Sequence, residues 1–213
     1  MQLPLCIYCG KRSGSTEDHV PPRSLFPKPR PSNLVKVPAC RECNAGFSDD
    51  DEMLALFICL QAGMVGKWQS ELHEKVKRAV QKNRRFQRIL QQASPDIPVL
   101  APDGSILEFV RLLSWTALPV KSSLERIVIG LAYHHYGIRV HESGYTKISI
   151  EPRETINCPE IVDVLQHCKF SSIGHEHEFE YRHGRATDSP FATVWEFVIY
   201  RAFHFVAFTI PLV

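Results

Sequence analysis

Apolar positions along the 213 residues change their period twice. Up to residue 47 they follow no regular period. That stretch is rich in Cys, Pro, Gly and basic residues and too poor in apolar ones to build a large core, so it needs a staple. From Ser48 the pattern turns helical. Ser48 followed by Asp49, Asp50, Asp51 and Glu52 suits a helix N-cap with acids on its first turn, and "EMLALFICLQAG" continues as a nearly all-apolar, buried helix. In "GKWQSELHEKVKRAVQKNRRFQRILQQ", Trp68, Leu72, Val76, Ala79, Val80, Phe86, Ile89 and Leu90 recur at helical spacing opposite a basic face. "ASPDIPVLAPDG", 93–104, reads as a Pro-rich connector. "LEFVRLLSWTAL" and "SSLERIVIGLAYHHYG" read as two further helices, the second capped by Ser122 or Ser123 and ended by Gly137. The period then changes again. "HEFEYRH", "ATVWEFVIYR" and "FHFVAFTI" are β-branched and aromatic, and predict an antiparallel meander packed on the helices.

The expected fold class is therefore α+β: a small stapled module at 1–52, a helical segment at 53–93, and an α+β C-terminal domain at 105–213, helices first and strands after. No apolar run reaches the roughly 18 residues that span a bilayer, so no membrane association is expected. The opening "MQLPLCIYCGK" has no basic segment followed by a long apolar one. A cytoplasmic setting, where thiols stay reduced, is the expectation.

Cysteine spacing supplies the staple. Four of the seven cysteines form two pairs, Cys6/Cys9 and Cys40/Cys43, in the pattern C-x2-C-x30-C-x2-C. Two chelating thiolate pairs make the tetrahedral soft-ligand set that Zn2+ prefers. Such a zinc would be structural, since four thiolates leave no open coordination position. Cys59, Cys158 and Cys168 read as small core residues. "AYHHYG" puts His134 and His135 near a helix end, where partial positive charge is favoured. "GHEHEFEYRH", with His175, His177 and His183, reads better as a hydrated outer face than as a metal site.

Charge changes the picture by its distribution. The net charge is +2, but residues 1–47 carry seven Lys/Arg against three acids, and 67–92 carry eight against two. Local basic excess suits a polyanionic partner; for a lone basic helix, a solvated face is the plainer account. No phosphate-binding GxxxxGK[ST] loop occurs, so hydrolysis of a nucleotide by the chain itself is not expected.

The thirty residues between the cysteine pairs contain "TEDHVPPRS" and "PSNLVKVPAC", and "CRECN" places Asn44 directly after the second pair. CxxC, DH-x-x-P, N-L-x-x-V and CxxCN, in that order, resemble the HNH endonuclease family, closest to its zinc-stapled ββα-metal members. The likeness covers residues 6 to about 52. It implies a metal-dependent endonuclease that hydrolyses phosphodiester bonds in DNA. In that reading His19 is the general base for the attacking water, and Asp18 and Asn44 hold a catalytic Mg2+ or Mn2+. Asn33 bridges the two strands and steadies the loop carrying His19, and Cys6, Cys9, Cys40 and Cys43 hold structural Zn2+. Chemically this is coherent, because His titrates near neutral pH and a hard cation takes oxygen ligands while keeping several waters. Neighbouring residues on a flat strand face opposite sides, so Asp18 and His19 are expected at a strand end or bulge. Arg23, Lys28, Arg30 and Arg41 are the candidate nucleic-acid contacts. The basic face of Lys75, Lys77, Arg78, Lys82, Arg84, Arg85 and Arg88 would be a nonspecific phosphate tract.

One departure stands out: where many family members carry Lys or a carboxylate three residues after the last motif residue, this chain has Phe47. Asp49, Asp50 and Asp51 either supply an outer ligand or cap the following helix, with capping the preferred role. By analogy, small HNH chains of this kind act in bacterial or phage defence systems, with a homodimer or an ATPase as partner. Two rival readings stay open: a non-catalytic zinc module that binds DNA or a protein, and a nuclease subunit active only beside a partner.

Overall fold

The computed structural model describes residues 3–61, 71, 74, 77–78, 81–82, 84–93, 96–111, 120–139 and 146–211. The chain opens with a hairpin. β1 (Thr16–Val20) pairs antiparallel with β2 (Val35–Ala39), with Asp18 opposite Val37 and His19 opposite Lys36. Two short helices follow, α1 (Arg41–Gly46) and then the longer α2 (Ser48–Gln61). The described positions between 71 and 82 are helical, and α3 spans Arg84–Ala93. A two-stranded ribbon, β3 (Asp96–Leu100) and β4 (Ile106–Arg111), leads towards α4 (Val120–Tyr136). The remainder is β5 (Thr146–Pro152), α5 (Pro159–His167), β6 (Lys169–Ile173), β7 (Phe179–Arg185), β8 (Thr193–Ile199) and β9 (Phe203–Pro211). These five strands form one antiparallel sheet in the order β5-β9-β8-β7-β6. The architecture is α+β, as the changes of period imply. Among the described residues no helix is long and apolar enough to cross a membrane.

Two segments differ from the sequence reading. Residues 96–100 and 106–111 form a ribbon, where a connector and a helix are expected. The cause is local. Asp103 accepts hydrogen bonds from the backbone N–H and the hydroxyl of Ser105. Gly104 supplies φ +83°, a conformation that costs a residue without Cβ little. The turn sets the two flanks side by side, and they pair. Residues 112–119, the rest of the expected helix, lie outside the described residues. At α4 the expected stop holds: Gly137 has φ +67° and its N–H reaches the Tyr133 carbonyl at 2.9 Å.

One apolar core joins these parts. It runs from the hairpin (Val20, Leu25, Phe26, Val37) through Met53–Cys59 of α2 and the inner face of α4 to Phe179, Trp195, Phe197 and Phe205 of the large sheet. β8 alternates buried and half-buried along its length, the period-2 pattern of a strand with one covered face. The closest approach positions the site. Gly130 of α4 lies against Val20 of β1, and a methyl group at 130 would collide with both Val20 methyls. Arg126 is one helical turn before Gly130 and Asp18 is two strand positions before Val20. The same contact therefore brings Arg126 onto Asp18.

Candidate functional site

The four cysteines meet. The sulfurs of Cys6, Cys9, Cys40 and Cys43 all lie within 4.8 Å of one another and could hold a metal such as zinc. The first pair sits on a tight turn closed by Gly10, whose φ is +61° and whose N–H donates to the Cys6 carbonyl at 2.9 Å. The second pair starts α1: Cys40 is the N-cap, and its sulfur accepts from the Cys43 N–H at 3.4 Å. Backbone hydrogen bonds draw the Cys9 thiol down to about 6, those from Lys11 foremost. This favours the thiolate that metal binding needs. Ile7 N–H donates to the Pro38 carbonyl at 3.1 Å, tying the first turn to β2.

Beside this knuckle opens a cavity of about 350 Å3, bordered by Glu17, Asp18, His19, Arg23, Asn44, Asp51, Glu52 and Arg126, among others. Asn44, some 25 residues beyond the adjacent Asp18 and His19, thus shares one concavity with them. Of the two expected places, a strand end or a bulge, Asp18 and His19 take the first: they are third and fourth of the five residues of β1, in unbroken register. Alternation buries Asp18 and leaves His19 half-buried. Among the described residues, no protein group hydrogen-bonds the His19 ring. Burial lowers its pKa, and Arg23 and Lys36 push the same way; the ring therefore stays neutral to lower pH than an ordinary histidine. Asn44 is anchored by its amide nitrogen, which donates to Thr16 Oγ1 at 3.2 Å and to the Glu17 carbonyl at 3.1 Å. Its Oδ1 accepts no hydrogen bond among the described residues.

Asp18 is fully engaged. Its Oδ1 accepts from the His19 backbone N–H at 2.9 Å and from Arg126 Nη2 at 2.9 Å. Its Oδ2 accepts from Tyr8 Oη at 2.6 Å and from Arg126 Nε at 3.0 Å. A carboxylate offers about four lone-pair sites, and four donors fill them. Asp18 and Asn44 therefore do not form a ready oxygen pair for a hard cation, and the Mg2+ or Mn2+ assigned to them by resemblance does not fit this arrangement.

Asp49, Asp50 and Asp51 stand on the first turn of α2, and the last two also bond across to α4. Asp51 accepts from Arg126 Nη1 at 3.0 Å and from Ser123 Oγ at 2.8 Å, and Asp50 accepts from Ser122 Oγ at 2.5 Å. Burial raises Asp51 to about 6 against the pull of Arg126. Burial also raises the Tyr8 phenol, reinforced by Asp18, so Tyr8 is a proton donor at all working pH. Arg126 is held in its charged form by Asp51 and Asp18 although burial opposes it. Ser122 and Ser123 thus bind α2 rather than cap α4. Ser48 lies inside α2 and its hydroxyl donates back to the Ala45 carbonyl at 3.2 Å.

Asn33 is placed away from His19. Its Nδ2 donates to the Ser172 carbonyl at 3.3 Å and its Oδ1 accepts from the Gly174 N–H at 3.0 Å. It fastens the hairpin loop to the end of β6 instead of steadying the strand that carries His19. Of the proposed phosphate contacts, Arg23 borders the cavity with His19, whereas Arg41 is exposed on the first turn of α1. Lys28 and Arg30 border a second cavity, of about 770 Å3, together with Arg78 and Lys82 of the helical region. Lys77, Arg84 and Arg88 are exposed; Lys75 lies outside the described residues.

Sequence reasoning missed Arg126, Tyr8 and Ser123. A signal for Arg126 was present: "LERIVIGLA" sets one arginine among the apolar residues of a helix, and a charge on a buried stripe requires buried partners of opposite sign. Nothing local marks Tyr8. No protein-family model matches the chain, and neither a curated protein nor a solved structure matches it.

Proposed function

We propose that the chain is a phosphodiester hydrolase acting on DNA through the corner around His19, an HNH-type nuclease. One observation carries this reading. The half-buried imidazole of His19, bonded to no described residue, lines one concavity with Arg23 and Asn44. The flanking turns carry four cysteines able to clamp the hairpin to α1. A base needs reach to a water and a neutral ring at working pH, and His19 has both. Arg23 offers a guanidinium for a phosphate oxygen. In the reaction the water oxygen bonds to phosphorus, its proton passes to His19, the bond from phosphorus to the leaving sugar oxygen breaks, and that oxygen takes a proton from solvent water while His19 returns its own to solvent. Lys28, Arg30, Arg78 and Lys82 offer further cations for the rest of the strand along the second cavity, interleaved with Glu71 and Glu74.

The test is nicking of supercoiled plasmid by the zinc-loaded protein, with His19→Ala and Arg23→Ala alongside. The expected outcome is nicking lost in His19→Ala and weakened in Arg23→Ala. The saturated Asp18 carboxylate favours a second reading, a zinc module that binds DNA without cutting it. Retardation of the plasmid by the folded wild type with no nicking is the result that selects this second reading.

A further inference from the structure

We propose that Arg126 is the resident cation of this corner: its guanidinium occupies the carboxylate that a divalent ion would use, so that Asp18 and Asn44 bind no such ion in the folded chain. The inference rests on the HNH-type reading of the corner for its interest, but its geometry is independent of activity.

The fork is built on three sides. Nε and Nη2 grip Asp18 edge-on and Nη1 grips Asp51, at 2.9 to 3.0 Å. The Phe47 ring covers the guanidinium at 4.8 Å and the Tyr8 ring lies at 5.7 Å. Phe47 is the position where this chain departs from the family pattern, and here its ring serves as the lid on Arg126. Gly130 lies directly against Val20, so α4 packs closely on β1 beside the Arg126–Asp18 pair. Arg126 and Asp18 are both buried, so the pair gains from each other what water would otherwise supply. A divalent ion at Asp18 would have to strip away one of the four donors. If that donor came from Arg126, a buried and permanently charged guanidinium would lose part of its pairing. Arg126 is thus a positioning residue. It holds Asp18 as an anchor for β1 beside His19, Arg23 and Asn44, which line the same cavity.

The test is uptake of Mn2+ by the full, zinc-loaded chain, followed as loss of the free Mn2+ electron paramagnetic resonance signal. Wild type is expected to match Asn44→Ala at every Mn2+ concentration up to the millimolar range. Arg126→Gln, which frees the Asp18 oxygens, is expected to take up about one equivalent more than wild type through oxygen ligands. Wild-type uptake of about one equivalent that disappears in Asn44→Ala would overturn the inference. So would a folded Arg126→Gln that takes up no more than wild type. Should Arg126→Gln not fold, the comparison of wild type with Asn44→Ala decides alone. Absence of nicking by wild type in every condition counts against the hydrolase reading and leaves the Mn2+ comparison intact.

Discussion

The corner around His19 and the interior of the large sheet are held together by opposite means. In the sheet, Trp195 stacks on Phe197 at 6.0 Å and Phe197 on Phe205 at 4.6 Å, with Phe179 and Tyr181 beside them. These contacts are apolar and tolerant of direction. The corner is polar where it is buried: Asp18, Asp51, Ser123 and Arg126 lie inside, joined by directional bonds and flanked by a four-cysteine cluster. A stacked interior degrades gradually when one group is trimmed. A charged interior fails when one partner goes, because the others remain buried without a counter-charge.

The largest effect is expected from the cysteines. If the four cysteines hold zinc, Cys6→Ser or chelation of that ion should release the hairpin and α1, with on the order of 10 kcal/mol of metal-binding free energy coupled to that corner. Hydrogen exchange would show protection lost in β1 and β2 and kept in β7 and β8; equal loss in both regions would erase the contrast. Next comes Arg126→Met, expected to cost about 3–5 kcal/mol in denaturant unfolding because Asp18 and Asp51 stay behind. Replacing Asp18 and Asp51 by Leu in the same chain should recover most of it. In the sheet, Phe197→Leu should cost about 1.5 kcal/mol, as a modest change of volume among apolar neighbours does, and Trp195→Phe somewhat more, because it also removes the 2.7 Å bond donated by Trp195 Nε1 to Thr193 Oγ1.

How much of this was legible in the sequence follows the same division. Strands β7, β8 and β9 were readable because they are dense in β-branched and aromatic residues, and β8 alternates along its whole length. The apolar run of α2 was readable because nearly every residue from Met53 to Cys59 is buried. The cysteine cluster was readable from spacing alone. The ribbon at 96–111 was not, since one Asp-Gly turn outweighs a weak helical pattern. Nor was the partner of Asp18: Arg126 is 108 residues away, and only the close packing of Gly130 on Val20 brings them together. Asn33 was misplaced for the same reason, its partners being 139 and 141 residues further along.

Smaller effects sharpen the account. Asn33→Ala should cost about 1 kcal/mol through its two bonds to the end of β6, and leave nicking unchanged; a large fall in nicking with an intact fold would return Asn33 to the centre. The histidines of the sheet region give a pH signature. His183 is buried and bonded to Tyr136 Oη at 2.7 Å, and His135 stacks on it at 3.9 Å. A hydrated outer face for His183 and a charged helix end for His135 are thus both replaced by neutral, packed rings. Burial lowers His135 to about 4, aided by His183, His134 and Lys169, and burial lowers His183 as well. These two rings bind fewer protons in the folded chain than in the unfolded one below about pH 6.5, so their contribution to stability rises with pH from about 4 to 6.5 and is lost on acidification, while Asp51, raised to about 6, opposes it. His135→Gln should flatten that slope in urea titrations.

The central claim, that His19 is the base of a phosphodiester-cleaving centre, is tested most directly by chemical rescue. Plasmid nicking by zinc-loaded His19→Ala would be measured with increasing imidazole. The account predicts negligible nicking without imidazole, restored as imidazole fills the space left beside Arg23 and Asn44. Nicking by His19→Ala at the wild-type rate without imidazole would contradict it.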